Sequence, residues 1–294
     1  MRKVCNSIIN CKQDKIYLFK KNDYKIFECK KCGQRFSAIK DSENHVAKVY
    51  SDEYFFEGKA GYPNYLNENE LLYNYGKRYS KIVSKYVEPG KVLDTGCAAG
   101  FILKGFVDSG WTGIGIEPNN TMADYGRNKL NLNIASGSLE TYESEEKFDL
   151  INLIQVIGHF YDLDKAILKL TDLLNVDGFV LVESWNMKSA LAKLRGKNWH
   201  EYSPPSVIHW FSDETLTDLF EYYGFELVAK GYPPKKINIE HAFSLIEEKT
   251  FNFFFKKKLF NFLSKSFGKY NTNYPPLDLK WYLFKKRIVN RQII

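Results

Sequence analysis

Two carboxylates and a turn of small residues near the middle of the chain have the types and the spacing of a ligand site. Residues 92–100 read Val-Leu-Asp-Thr-Gly-Cys-Ala-Ala-Gly, an apolar run followed by a turn before a predicted helix. The small residues that let a ligand approach this backbone closely are Gly96, Cys97, Ala98 and Gly100. Glu117 stands seventeen residues after Gly100, at the end of the next predicted strand. A carboxylate there can accept hydrogen bonds from both hydroxyls of a ribose, so the two features together predict a nucleoside ligand.

The same turn distinguishes between nucleoside ligands. A dinucleotide site needs the pattern G-x-G-x-x-G, so that a pyrophosphate can lie on the loop. Here the tight part of the turn has one glycine, and Asp94 adds a negative charge beside it. That charge would repel a pyrophosphate but suits an ammonium group, such as the one that S-adenosylmethionine carries. We therefore expect S-adenosylmethionine as the cofactor, and a nicotinamide dinucleotide is the less favoured alternative.

Short apolar runs alternate with helical stretches and show which elements position this site. Strands are predicted over 91–95, 112–117, 148–154, 178–183, 225–230 and 277–286. Helices are predicted over 70–87, 101–109, 121–130, 163–174, 213–223 and 240–267. This alternation predicts an α/β fold with a mostly parallel sheet and helices on both of its faces.

At these residues the chain resembles class I S-adenosylmethionine-dependent methyltransferases. Residues 92–100 are similar to the first motif of that family, D-x-G-C-x-x-G, and Glu117 matches the acidic residue after its second strand. The resemblance covers residues 70–230 and implies a Rossmann-like sheet, mostly parallel with its last strand antiparallel. It adds further residues to the expected cofactor site, namely Pro118, Ser138, Leu139 and Gln155. The family often has an acidic residue near position 138, where this chain has a hydroxyl.

Four of the five cysteines lie in the first 32 residues and predict a metal site. Cys29 and Cys32 are two residues apart and precede Gly33, which permits the tight turn of a metal-binding knuckle. Cys5 and Cys11 would supply the other two ligands, although their spacing is wider than usual. In a reducing compartment a structural zinc is favoured over two disulfides. The alternative is a ribbon that keeps its shape without metal.

A narrower resemblance extends over more of the chain. A cysteine ribbon, an aromatic cluster at 50–56 and a methyltransferase core are together similar to a subgroup found in sugar and polysaccharide biosynthesis. Residues 204–212 are similar to the P-x-x-H-x-x-x-F-S segment of that subgroup. The resemblance implies a small-molecule acceptor, either a saccharide or its nucleotide- or lipid-linked form. It divides the chain into a zinc-ribbon-like segment (1–45), a methyltransferase core (46–235), and a basic helical insertion with a final strand (236–294).

Histidines are the candidates for the chemical step. Methyl transfer to a hydroxyl needs an acceptor held in line with the methyl group and a group that takes its proton. His159 follows the fourth core strand and is either a general base or a structural histidine. Gly158 replaces the Glu of the family's Glu-His pair, so an alternative is a module that binds the cofactor without catalysis. His209 is a second candidate on the acceptor side, and His200 and Glu201 are weaker ones.

Four aromatic residues near these histidines have two interpretations. They form either a wall over a sugar-like acceptor or the packing of a lid: Trp185, Trp199, Tyr202 and Trp210.

The charge distribution bears on the partners. The chain has a net charge of +7, of which residues 235–294 carry +9 (13 basic, 4 acidic) and residues 1–234 carry −2 (29 basic, 31 acidic). Nucleic acid is therefore not the expected partner, although an RNA methyltransferase that uses the ribbon and the basic tail is the second hypothesis. Residues 251–269 form an imperfect amphipathic helix that either contacts an anionic membrane surface or packs on the protein. We expect a cytoplasmic protein, because no apolar run has the length of a membrane span and no signal-type segment begins the chain.

Overall fold

The computed structural model describes residues 13–39, 45–57, 64–233, 236–238, 271–273 and 278–287. The strands are β1 (Lys15–Lys21), β2 (Tyr24–Cys29), β3 (Arg35–Ser37), β4 (Lys91–Thr95), β5 (Thr112–Glu117), β6 (Asn133–Ser136), β7 (Phe148–Ile154), β8 (Leu174–Trp185), β9 (His209–Trp210), β10 (Phe225–Gly231), β11 (Lys236–Asn238), β12 (Asn271–Asn273) and β13 (Leu279–Lys286). The α-helices are α1 (His45–Val49), α2 (Asp52–Phe56), α3 (Asn69–Val83), α4 (Phe101–Val107), α5 (Asn120–Leu130), α6 (Leu163–Leu173), α7 (Ala190–Arg195) and α8 (Asp213–Tyr222).

A seven-stranded sheet forms the centre of the fold. Its order is β10-β13-β8-β7-β4-β5-β6, and β13 runs antiparallel to both of its neighbours. The other pairs from β8 to β6 are parallel. The predicted Rossmann-like sheet with an antiparallel last strand is therefore confirmed. From β4 the chain first adds β5 and β6 on one side of it and then returns to add β7 on the other side. This reversal of strand order opens a crevice beside β4, and open α/β sheets bind ligands in such a crevice.

Both faces of this sheet are buried. Val92 and Leu93 are neighbours on β4, and their side chains belong to the clusters on opposite faces. The cluster with Val92 includes side chains of α3 and α4, and the cluster with Leu93 includes those of α6 and α8. The apolar runs are continuous rather than alternating because helices cover both faces of a parallel sheet.

The predicted bounds are most accurate where the apolar run ends at a turn. The strands predicted over 91–95, 112–117 and 148–154 have those bounds in the structure. The strand predicted over 178–183 extends instead from Leu174 to Trp185, and the edge strand β6 was not predicted at all. β6 has four residues, two of them the polar Asn133 and Ser136, so it lacks the apolar run that marks the central strands.

A second sheet joins the N-terminal part to the core. Its order is β1-β2-β3-β9, and the backbone of Phe36 in β3 pairs with that of His209 in β9. The hairpin between β1 and β2 turns through Asn22 and Asp23, which both have positive φ as a two-residue turn requires. The N-terminal strands therefore share a sheet with a strand that lies far along the chain, since Phe36 and His209 are 173 residues apart.

Contact density divides the chain into two compact units, residues 1–232 with 277–294, and residues 233–276. In the second unit the antiparallel pair β11–β12 is described. The helix predicted over 240–267, and with it the amphipathic segment 251–269, lies outside the described residues. Among the helices that the structure does describe, none combines the length and apolar character of a membrane span.

Candidate active site

Asp94 and Glu117 are brought together at the carboxyl ends of two neighbouring strands. Both side chains are 3% exposed. Burial raises the pKa of Asp94 to about 7, and the charge of Glu117 adds to the rise, whereas Asn152 across the β4–β7 pair opposes it. Burial also raises the pKa of Glu117 to about 7, although the hydrogen bonds that it accepts from backbone N–H groups act to lower it. The site therefore holds two buried carboxylates that ionise near neutral pH.

The turn between them has the tight backbone that its small residues predict. Gly96 and Gly100 have φ of +64° and +81°, a region that favours glycine. A Cβ atom on Gly96 would lie 2.9 Å from Val156, and one on Gly100 would lie 2.6 Å from Leu132. Close packing thus excludes larger residues at both positions.

Glu117 also holds the turn in place. Its two carboxylate oxygens each accept one backbone N–H bond of 2.8 Å, Oε2 from Ala98 and Oε1 from Asn119. Each oxygen keeps a further lone pair, which a ribose hydroxyl can use. Pro118, which follows, is partly exposed.

These residues fit a cationic nucleoside. The Asp94 Oδ2 and Thr95 Oγ1 atoms are buried and have no hydrogen-bond partner among the described residues. Among the same residues no Lys or Arg pairs with Asp94 or Glu117. A buried carboxylate without a counter-charge is costly, and a ligand ammonium or sulfonium would relieve that cost. Cys97 is different, because its Sγ packs beneath Gly115 in the core and leaves its backbone for the ligand.

The residues expected to contact adenine are placed unequally. Ser138 is partly exposed at the end of β6, whereas the Leu139 side chain is fully buried in the core. A contact from Leu139 would therefore come from its backbone. Glu140, which no sequence motif marked, is also buried here. Burial raises the pKa of its carboxyl group, whereas the Ser138 hydroxyl and backbone N–H groups act to lower it. An acidic side chain thus lies two residues from the position where the family often has one.

The aromatic cluster at 50–56 covers the turn. The Asn119 side-chain amide donates to the Tyr50 carbonyl (3.0 Å) and to the Asp52 carboxylate (2.9 Å). Phe55 is buried in the same cluster as Ala98. Since the Asn119 backbone N–H also donates to the Glu117 carboxylate, one residue links the aromatic cluster at 50–56 to that carboxylate.

His159 forms a hydrogen-bonded chain with this cover. The Tyr50 hydroxyl lies 2.8 Å from His159 Nδ1 and donates to the Ser206 carbonyl oxygen at 2.9 Å. A Tyr50 hydroxyl that donates its single proton to Ser206 must accept from Nδ1–H, and in that tautomer Nε2 keeps its lone pair. Burial lowers the pKa of His159 to about 4, and the nearby His45 lowers it further. Hydrogen bonds to the Ser206 and Gln155 carbonyl groups act in the opposite direction. The imidazole is therefore neutral at pH 7.

A pocket next to His159 brings several candidate residues together. Its lining residues are Gln155, Ile157, Gly158, His159, Glu183, Ser184, Trp185, Glu201, His209 and Trp210. His200 is not among them, and its exposed ring packs edge-on against Trp185. The pocket lies beyond the carboxyl ends of β7 and β8, where the acceptor of a transferred group would meet a cofactor held at β4 and β5.

Comparison of the chain with protein-family models agrees with this geometry. A family model described as "Methyltransferase domain" matches residues 68–230, more than half of the chain. The chain belongs to this family. The predicted S-adenosylmethionine-dependent methyltransferase is thereby confirmed.

Relatives of this methyltransferase include two ubiquinone biosynthesis O-methyltransferases. Those of Rickettsia prowazekii (strain Madrid E) and Rickettsia bellii (strain OSU 85-389) are 25% and 23% identical over 166 and 190 residues. The matches cover 49% and 57% of this chain. They cover 66% of the first relative, just under two thirds of its length, and 77% of the second.

Solved structures share the fold of this methyltransferase. The 1,6-didemethyltoxoflavin-N1-methyltransferase of Burkholderia thailandensis, with its substrate and S-adenosylhomocysteine bound, has a TM-score of 0.54 at 11% identity, covering 92% of this chain and 99% of that one. The magnesium protoporphyrin IX methyltransferase of Synechocystis PCC 6803, with S-adenosylhomocysteine bound, has a TM-score of 0.52 at 11% identity, covering 82% and 99%.

The structure gives a steric reason for Gly158, where the family has Glu. A Cβ atom at this position would lie 2.9 Å from the His209 carbonyl oxygen and 3.2 Å from Val207. The Ile208 N–H donates to the Gly158 carbonyl at 2.8 Å. The segment that carries His209 therefore occupies the space that a glutamate side chain would need.

For three of the four aromatic residues, the structure favours packing. Trp199, Tyr202 and Trp210 are each at most 2% exposed, and their rings contact one another edge-to-face in one cluster. The Trp199 indole N–H donates to the Asp278 carboxylate at 2.9 Å. Trp185 is partly exposed and lines the pocket together with an edge of Trp210.

Two of the four predicted metal ligands lie among the described residues. Cys29 and Cys32 lie in the expected knuckle, where Gly33 has φ of +77° and donates its N–H to the Cys29 carbonyl at 2.9 Å. Cys5 and Cys11 lie outside the described residues. Among the residues that are described, no group of three or more His, Cys, Asp or Glu has the geometry of a metal site.

Proposed function

We propose that this methyltransferase transfers a methyl group to a hydroxyl oxygen of a small acceptor in the pocket, and that His159 takes the hydroxyl proton. The observation that carries the proposal is the chain from His159 Nδ1 through the Tyr50 hydroxyl to the Ser206 carbonyl. It assigns the ring proton to Nδ1 and leaves Nε2 as the acceptor, as a general base requires. The named relatives are O-methyltransferases, which supports an oxygen as the methylated atom.

S-adenosylmethionine supplies a methyl group on a positively charged sulfur. A hydroxyl oxygen becomes acidic as it gains the methyl group, so a neutral imidazole with a pKa of about 4 is basic enough to take its proton. Tyr50 stabilises the resulting imidazolium, because its hydroxyl accepts from Nδ1–H before and after the transfer. The aromatic cluster at 50–56 covers the turn and would exclude water from it. Asp94 and Glu117 would hold the cofactor.

The chemistry of the pocket supports a neutral, polyhydroxylated acceptor, such as a saccharide. Glu201 offers carboxylate oxygens to hydroxyl donors, and Trp185 offers an aromatic surface to a sugar ring. Among the lining residues there is no Lys or Arg, so the pocket does not suit a phosphate group. We expect any nucleotide or lipid carrier to lie outside it. The same observation disfavours RNA as the acceptor.

His159→Asn tests the catalytic part of this proposal. An Asn amide can replace the Nδ1–H donor to Tyr50 but has no counterpart of Nε2, so the fold and the cofactor affinity should persist. We expect turnover to fall by about 10²–10⁴-fold, the usual contribution of a general base. S-adenosylhomocysteine release is measured with a panel of neutral saccharides, nucleotide-linked sugars and RNA. Tyr73→Phe, which loses an exposed bond to Asp108, is the control.

Two results would contradict the proposal. If His159→Asn turns over like the wild type, His159 is not the base. If RNA is methylated and no saccharide is, the acceptor assignment fails although the base assignment can stand.

We also propose that Cys29 and Cys32 bind a structural zinc together with Cys5 and Cys11. The knuckle geometry at Gly33 supports two of the four ligands. Metal analysis of freshly purified protein should find one zinc per chain, and Cys32→Ser should lose it. Protein that is folded and free of zinc would contradict this site.

A further inference from the structure

Glu183 is a buried carboxylate that the mechanism above does not use. It lies near the carboxyl end of β8 and has no exposed surface. Its Oε1 atom accepts from the Gln155 side-chain amide at 2.7 Å, and its Oε2 atom accepts from the hydroxyls of Tyr75 and Tyr79. A buried charge is tolerated when it is well hydrogen-bonded, and here three donors from two other segments meet at one side chain.

Gln155 needs such an anchor because its backbone is unfavourable. It has φ of +57°, a left-handed conformation that is unfavourable for a residue other than glycine. The surroundings must hold such a residue in place. Glu183 does so twice, since its backbone carbonyl also accepts the Gln155 N–H at 3.0 Å.

The position of Gln155 affects His159 directly. Gln155 directly follows β7, and the short 3₁₀-helix Ile157–His159 begins two residues later. The Gln155 carbonyl group lies close enough to the imidazole to favour its protonated form. A rotation of the Gln155 backbone would therefore move both the start of this helix and a dipole beside the ring.

We propose that Glu183 is a positioning residue, which ties Tyr75 and Tyr79 of α3 to Gln155 and thereby sets the orientation of the His159 imidazole. The catalytic consequence rests on the proposed function, because it takes His159 as the base. The structural part, an effect of Glu183 on the ring, does not depend on that role.

Hydrogen-bond complementarity provides a sharp test. A carboxylate only accepts, whereas the amide of Glu183→Gln has one accepting and one donating end. If its oxygen faces the two tyrosines, its Nε2 faces Gln155, and the bond survives only when the Gln155 amide turns over and presents its oxygen instead of its Nε2. The double variant Glu183→Gln with Gln155→Glu exchanges the partners, so that Gln at 183 donates to Glu at 155. It restores every bond and the total charge.

The experiment measures the His159 ring in the full-length protein by long-range ¹H–¹⁵N spectra, assigned with His159→Asn. In the wild type we expect the Nδ1–H tautomer. In Glu183→Gln we expect a mixture of tautomers and a displaced titration, and in the double variant a return to the wild-type pattern. Turnover should fall by on the order of 10- to 100-fold in Glu183→Gln. Tyr73→Phe, which loses an exposed bond to Asp108, is the control.

A His159 spectrum that superimposes on the wild type in both Glu183→Gln and Gln155→Met would overturn the proposal. So would a double variant that stays as perturbed as the single one. If Glu183→Gln does not fold, Gln155→Met removes the same bond from the other side and gives the same readout. If the ring is perturbed but His159→Asn remains fully active, the proposed base is wrong and the positioning role of Glu183 stands.

Discussion

The two carboxylates of the proposed cofactor site should make cofactor affinity depend on pH. Asp94 and Glu117 each have a pKa raised to about 7, mainly by burial. A group with this pKa is about one-tenth ionised at pH 6 and about three-quarters ionised at pH 7.5. If the cationic cofactor binds to the ionised form, its affinity rises about eightfold per group over this window, and up to about 60-fold for both. At pH 7.5 an α-amino group with the ordinary pKa of about 7.7–8.0 is still more than half protonated, and the sulfonium charge does not titrate.

The stability of the unliganded protein should change in the opposite direction. The folded-state pKa values are raised above the ordinary 3.8 of Asp and 4.5 of Glu. The folded state therefore binds these protons more tightly than the unfolded state does. The resulting contribution to stability is complete below about pH 4 and is lost as the pH rises through about 7. Between pH 6 and 7.5 the free energy of unfolding should fall without cofactor, while the stabilisation by added cofactor grows.

Titration calorimetry from pH 6 to 7.5 measures the affinity, and Asp94→Asn is the decisive variant. It has the same shape without the charge, so we expect the pH dependence to shrink to that of one group. Binding at pH 7.5 should weaken by about 1–3 kcal/mol, the scale of a lost charged hydrogen bond. The neutral 5′-methylthioadenosine has the ribose hydroxyls but neither positive charge, and should show the one-group dependence with the wild type. An affinity for S-adenosylmethionine that is constant across the window would refute the reasoning.

Three further changes test the packing that shapes the pocket. Gly158→Ala places a Cβ atom 2.9 Å from the His209 carbonyl oxygen, and we expect the free energy of unfolding in urea to fall by about 1–3 kcal/mol. Trp199→Phe removes the buried bond to Asp278 and should lower it by about 1.5–3 kcal/mol, whereas an unchanged urea midpoint would show that the bond contributes nothing. Deletion of residues 1–39 removes β3, which pairs with β9, so the thermal midpoint should fall while cofactor binding persists; a midpoint equal to that of the full chain would contradict the shared sheet.

The sequence by itself determined the cofactor half of the site. The turn from Asp94 to Gly100 is contiguous, and its glycines are required by local backbone geometry. Glu117 is separated from it by one helix and one strand, and a parallel βαβ unit brings two such strand ends together in a standard way. The bounds of β4, β5 and β7 followed for the same reason, because a buried strand is an apolar run that ends at a turn.

The acceptor half was decided by the tertiary structure. Tyr50, His159, Glu183 and His209 come from four separate segments, and no spacing along the chain indicates that they meet. Strand β9 has two residues, too few for a periodic signal, yet its pairing with β3 places His209 beside the pocket. The aromatic residues were ambiguous for a related reason, since burial depends on what packs against them and not on their type. Contacts within one supersecondary unit can be derived from local pattern, whereas contacts between distant segments depend on how complete surfaces fit together.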